Sequence, residues 1–189
     1  VLFQIKETTG SVEHLAFSPD GKRLATSSNG KVVRIWDIES GEIFKTFEGH
    51  AAVVYWVEFS PDGKSLVSSG RDNTTRAWDI ATGKTRFTIQ HASEVAAAVH
   101  SPDGKQLATV CNDGQVGLWD AATGQAVAAL VGHRGSVYSV CYSRDGKLLA
   151  SGGSDNTIRL WDTSTNDGIA TLSGHTSIVH GLTFSRDGK

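Results

Sequence analysis

Trp36-Asp37, Trp78-Asp79, Trp119-Asp120 and Trp161-Asp162 recur at steps of 42, 41 and 42 residues. Each pair stands at a constant distance behind a turn sequence: Ser18-Pro19-Asp20-Gly21, Ser60-Pro61-Asp62-Gly63, Ser101-Pro102-Asp103-Gly104 and Ser143-Arg144-Asp145-Gly146. Ser185-Arg186-Asp187-Gly188 begins the same turn a fifth time. A fixed period of about 40–45 residues means that each copy is one supersecondary unit, stable only when stacked against its neighbours. The count that matters is of repeats, which fall at about 1–47, 48–89, 90–130, 131–172 and a partial 173–189.

Within a copy the apolar residues alternate or cluster in runs too short for helices, bounded by Gly and Asp turns. In the second copy strands are predicted over 53–60, 65–69, 74–78 and 86–89. Pro61 presets φ at the second position of the first turn, and Gly63 accepts positive φ at the fourth. Four short antiparallel strands then make one small sheet. The fold class is all-β.

Glu48-Gly49-His50, the Ser60 to Gly63 turn, Asp72 and Trp78-Asp79 together resemble a WD40 repeat, and the resemblance extends along the chain. It implies blades of a β-propeller arranged radially about a channel. It also implies an offset, in which each repeat supplies the outermost strand of one blade and the inner three of the next. On that phasing 1–5 is a lone outer strand and 178–185 a lone innermost one. The chain contains no Met, so we expect a segment of something longer, an open arc of about four blades from a propeller of seven or eight. Open sheet edges invite the remaining blades of the same propeller, or another chain.

His50, Ser68 and Asp72 make up the residue set used for acyl transfer. The set returns as His91, Thr109 and Asp113, and again as His133, Ser151 and Asp155. Repetition argues against catalysis, because an active site is one asymmetric pocket, whereas a structural network recurs once per blade. The resemblance implies buried tetrads completed by Trp78, Trp119 and Trp161. An indole N–H can then donate to the hydroxyl, the hydroxyl to imidazole, and the other imidazole N–H to carboxylate. The first copy departs from this, with Thr8 where His is expected and Gly30 where Asp is expected. In the third copy Gln90 replaces the Gly before His91, and His100 stands where Phe17, Phe59, Tyr142 and Phe184 carry a core aromatic ring.

Other chemistries find no support. The histidines at 50, 91, 133 and 175 belong to separate blades, whereas metal ligands must converge within a few ångström, and the Asp-Gly turns lack the acidic spacing of a calcium loop. No metal and no cofactor are expected. Formal charge is -2 with the basic residues scattered, so the footprint of nucleic-acid binding is missing. No apolar stretch approaches the length needed to cross a bilayer. Cys111 and Cys141 occupy different positions in their repeats, which argues against a repeated disulfide and points to a reducing, cytoplasmic compartment.

Function then rests on exposed residues that vary between copies. The resemblance implies that side chains three and five places after the repeat His, and the one before the turn Asp, line the channel mouth. These are Val53, Tyr55 and Arg71, then Glu94, Ala96 and Asn112, then Ser136, Tyr138 and Ser154. The first copy contributes Ser11, Glu13 and Asn29, and the fifth Ile178 and His180. Tyr55, Arg71 and Tyr138 are of the types enriched at protein–protein hot spots. The reading is a non-catalytic scaffold that binds a peptide or protein partner. The alternatives are a regulatory propeller attached to a kinase or nucleotide-switch protein, and an enzyme, for which the near-constant repeat length leaves no inserted loop. Trp56, whose counterparts include His14, Ala97 and Ser139, fits either a gap between blades or an exposed anchor.

Overall fold

The computed structural model describes residues 10–185. Among the described residues sixteen strands form four antiparallel sheets of four, each in simple meander order. The first blade comprises β1 (Val12–Phe17), β2 (Arg23–Ser28), β3 (Val32–Asp37) and β4 (Ile43–Glu48). The second comprises β5 (Val54–Phe59), β6 (Ser65–Gly70), β7 (Thr74–Asp79) and β8 (Thr85–Gln90). The third holds β9 (Val95–His100), β10 (Gln106–Cys111), β11 (Val116–Asp120) and β12 (Ala126–Leu130), and the fourth β13 (Val137–Tyr142), β14 (Leu148–Gly153), β15 (Ile158–Asp162) and β16 (Gly168–Leu172). Blades stack through their inner strands, β1 on β5, β5 on β9 and β9 on β13, and the described arc is open.

The turns repeat because their chemistry repeats. Ser60 Oγ donates to Asp62 Oδ1 at 2.6 Å, the Lys64 N–H donates to the same oxygen, and the Ser65 N–H donates to Ser60 Oγ. Gly63 closes the turn at φ +69°, where an L side chain would be strained. The Asp of each Trp-Asp pair ties the following turn: Asp79 Oδ1 accepts from both the N–H and the hydroxyl of Thr82.

The core lies between blades. Val33, Ile35 and Phe47 of the first blade pack on Val54, Leu66 and Trp78 of the second. Ala97, Val110 and Leu118 of the third pack on Val140, Leu149 and Trp161 of the fourth. The junction of the second and third blades is thinner, with Val67, Ala98 and Leu107 as its buried members and Trp119 only partly buried.

Two sequence expectations change here. No strand forms over 178–185, because a strand needs a ladder partner and the described residues supply none. The segment still seats on the fourth blade: Val179 is buried and donates its N–H to Gly153 O, and the Leu182 N–H donates to Ser139 Oγ. Phe17 is 68% exposed and not a core ring, since the face it occupies is the open one of the first blade, whereas Phe59 packs into the junction behind it. The outer strand expected over 1–5 and the role of Thr8 lie outside the described residues.

Candidate functional site

The β2–β3, β6–β7, β10–β11 and β14–β15 turns share one end of the arc, the upper face, with the loops that enter each blade. His50 arrives there on the loop before β5. Its Nδ1 lies 2.8 Å from Asp72 Oδ2 and its Nε2 2.8 Å from Ser68 Oγ, which also accepts the Trp78 indole N–H at 2.8 Å. The carboxylate accepts, so Nδ1 carries the proton and Nε2 accepts from the Ser68 hydroxyl. Every polar group of the set has a partner. His133, Asp155, Ser151 and Trp161 repeat it at 2.9, 2.8 and 2.9 Å. Burial would push the Asp72 carboxyl up, but hydrogen bonds from His50 and Thr74 outweigh it and hold it well below the usual carboxylate range. For Asp155 the same opposition is won by the Arg134 N–H, the Thr157 hydroxyl and His133.

The third set is not assembled. Trp119 donates to Thr109 at 2.8 Å, but His91 turns from both Thr109 and Asp113. Its Nε2 meets Thr75 Oγ1 of the second blade at 3.1 Å, and its Nδ1 faces Cys111 Sγ at 3.6 Å. Five neighbouring residues explain the change. Thr75 offers a hydroxyl across the junction where Val33, Val116 and Ile158 stand in the other copies. Cys111 occupies the place of Gly70 and Gly153, where a Cβ would come within 2.2 and 2.4 Å of a backbone oxygen. Gln115 replaces the Thr74 and Thr157 hydroxyls that brace the other two carboxylates. Gln90 and Gly117 replace the Gly and Arg that pack together elsewhere: a Cβ on Gly49 would meet Arg76 and Trp78, and one on Gly132 would meet Arg159 and Trp161. The Trp119 ring leans over Gly117 instead, within 2.8 Å of where a Cβ would stand. In the first copy Trp36 donates to Thr26 Oγ1 at 3.0 Å.

Burial lowers His91 to about 4, with the Asp113 charge only partly opposing it. The unfolded ring takes its proton near 6.5. The stability His91 contributes is therefore complete above that value and is lost as pH falls from about 6.5 towards 4. Thermal melts of the parent and of His91→Gln should diverge over this window, the parent losing more; parallel curves would refute the assignment. Burial also pushes the Cys111 thiol up to about 12, so a neutral thiol faces a neutral imidazole at pH 7.

The residues expected at the channel mouth gather about one carboxylate. Glu94 Oε2 accepts from the Tyr55 hydroxyl at 3.0 Å and from Asn112 Nδ2 at 3.3 Å, while Arg71 Nε lies 3.3 Å from Oε1. Ser136 joins through its hydroxyl, which donates to Asn112 O, and the Ser154 N–H donates to Ser136 O. Val53 contributes its carbonyl, which accepts the Arg71 N–H. Ala96 is half-buried against the third and fourth blades. Tyr138 stands apart from the cluster, its ring 5.4 Å from that of His180. In the first copy Asn29 Oδ1 accepts the Ser11 N–H, and the Ser11 hydroxyl donates to Glu13. Trp56 fills a gap: it stacks on His14 at 3.7 Å and packs against the core of the third and fourth blades. Among the described residues no three His, Cys, Asp or Glu side chains gather as a metal site requires, and no helix is long and apolar enough to cross a membrane.

Radial four-stranded blades, packed face to face around buried Trp–hydroxyl pairs, define a β-propeller arc. The model of the WD domain, G-beta repeat, matches residues 2–37, 41–79, 83–120 and 124–162, and the chain belongs to this WD40 repeat family. The match that begins at 41 takes in β4 of the first blade and β5 to β7 of the second, the offset between repeat and blade. The chain is 43% identical over 44 residues to the general transcriptional corepressor TUP1 of Saccharomyces cerevisiae, which covers 23% of the chain and 6% of that protein. It is 49% identical over 41 residues to an uncharacterized WD repeat-containing protein of Nostoc, 22% of the chain and 3% of the relative. To Protein HIR1 of Eremothecium gossypii it is 38% identical over 55 residues, 29% and 7%. The chain thus spans less than a tenth of each of these relatives.

Proposed function

We propose that this chain is a non-catalytic scaffold that docks a protein or peptide partner on the upper face, around Glu94. The observation that carries the reading is the convergence of Tyr55, Arg71 and Asn112 on that one carboxylate. The two oxygens hold side chains from two blades in preset positions, and Arg71 stays 61% exposed. Preset Tyr and Arg side chains lose little freedom on binding, which suits them as anchors. Val53, Ser136, Tyr138 and Ser154 extend the surface around them.

The His50 and His133 networks act as internal fasteners in this reading. Each recurs with the same geometry at a different junction, and every polar group in them is spent on another. Similarity to a protein described as a transcriptional corepressor supports a binding role over a chemical one. Both cysteines are unpaired, which suits a reducing compartment such as the cytoplasm. At the open face of the first blade, Val12, Leu15 and Phe17 offer apolar surface to further blades or to another chain. Affinity capture with the protein as bait, repeated with Tyr55→Ala, Arg71→Ala and Tyr138→Ala, tests the face. Loss of a captured partner by about tenfold or more is expected for the first two variants, the scale of a hot-spot residue. Undiminished capture by all three would move the site elsewhere.

A further inference from the structure

Among the described residues three cavities open at the lower end of the arc, away from the Glu94 cluster, each wedged between the turns of adjacent blades. In chain order their volumes are about 140, 440 and 280 Å³. Each is lined by the residue that ends the innermost strand of the later blade, and these are Phe59, His100 and Tyr142. The smallest cavity goes with Phe59 and the largest with His100. The middle cavity reaches the size of small-ligand sites, roughly 300 Å³ and above.

Each of the three holds one basic residue, Arg23, Arg86 or Lys105, and the middle one differs in where that residue stands. Arg86 lines it, at a position filled by Phe44, Val127 and Ile169 in the other copies. Two departures from an apolar pattern, Arg86 on the outer strand and His100 on the inner, thus meet in one cavity. The turn aspartates do not distinguish it, because Asp62 and Asp103 recur in the neighbouring cavities. Both are also engaged at home, accepting from Ser60 and Lys64 and from Ser101 and Lys105. His100 is pinned from across the junction: Glu58 Oε2 lies 3.0 Å from its Nδ1 and accepts its backbone N–H at 2.6 Å. Among the described residues neither His100 Nε2 nor the Arg86 guanidinium has a hydrogen-bond partner.

We propose that this cavity is a second binding site, for an acidic residue of an extended peptide. Arg86 takes the carboxylate through its planar fork of donors, the geometry best suited to that group. Nδ1 of His100 donates to Glu58, which leaves Nε2 to accept a backbone N–H of the same peptide. The site is separate from the upper face, so either stands without the other.

The test is a titration of the ¹⁵N-labelled protein with N-acetyl-glutamate N-methylamide, followed at Arg86 Nε–H and the His100 ring. Saturable shifts at both are expected, with affinity about tenfold weaker for the glutamine counterpart, the scale of one charge-assisted hydrogen bond. Arg86→Phe with His100→Phe installs residue types that other copies carry and should abolish the response, with folding checked by thermal melts. His100→Phe alone refills the cavity and should also weaken it, which decides the matter if the double variant does not fold. Equal response to acid and amide, or shifts that survive the substitutions, would overturn the proposal.

Discussion

Trp78→Ala lowers the unfolding free energy by about 3–5 kcal/mol, the range for deleting a buried large aromatic, while Trp119→Ala costs about 2 kcal/mol or less. Trp78 is 2% exposed, packs among Ile35, Phe47, Val57 and Leu66, and gives its N–H to Ser68. Its removal opens a cavity at a junction that cannot close over it and takes away the donor to a hydroxyl that His50 also uses. Trp119 is half-buried at the thinner junction, and its hydroxyl partner Thr109 does not reach His91. Total stabilities of about 5–15 kcal/mol make the first loss a large fraction of the whole. Urea unfolding of the two variants side by side checks this, with the midpoint shift read at unchanged slope. Equal losses would mean that the two junctions are energetically alike, against the packing.

The blades were legible because their determinants are local. Turn residues fix the hairpins, alternation fixes the strands, and the period fixes the stacking, so strands predicted over 65–69 and 74–78 emerge as Ser65–Gly70 and Thr74–Asp79. Reading copies against one another also aligns His50, Ser68, Asp72 and Trp78 with their equivalents, since a register that repeats places equivalent residues alike. The failure of the third set has a different origin. Thr75 belongs to the preceding repeat, and its effect on His91 is exerted across a junction that no single copy displays. Cys111 and Gly117 are visible departures, but what they change is a backbone approach and a ring orientation. Phe17 misled for a related reason: burial in an array depends on the neighbour stacked against the face, and the first described blade has none on that side. Glu94 was named among the channel-mouth residues, yet its place as the hub followed only from side chains of two blades meeting in space.

The sharpest consequence of the unequal sets concerns their carboxylates. Asp72→Ala should destabilise the protein by about 1–3 kcal/mol, the cost of leaving buried donors without an acceptor, and Asp113→Ala should stay within about 0.5 kcal/mol, as for an exposed group away from such networks. Asp72 has 5% of its side chain exposed and receives the His50 ring, the Ala51 N–H and the Thr74 hydroxyl. Without it these three and the Thr74 N–H lose their acceptor, and the ring loses the contact that fixes its tautomer. Asp113 is exposed, and its carboxylate accepts the Gln115 N–H but not His91. The two can be separated by pH as well. Because the native fold holds Asp72 well below its ordinary range, its contribution is complete above about pH 4, and it drains away as the carboxyl is protonated at lower pH. The gap between the denaturant midpoints of Asp72→Ala and its parent should therefore be narrower at pH 3 than at pH 7, while Asp113→Ala tracks the parent at both. If the two alanines cost the same at pH 7, the third set is assembled in solution after all, and the turn of His91 towards Thr75 is wrong.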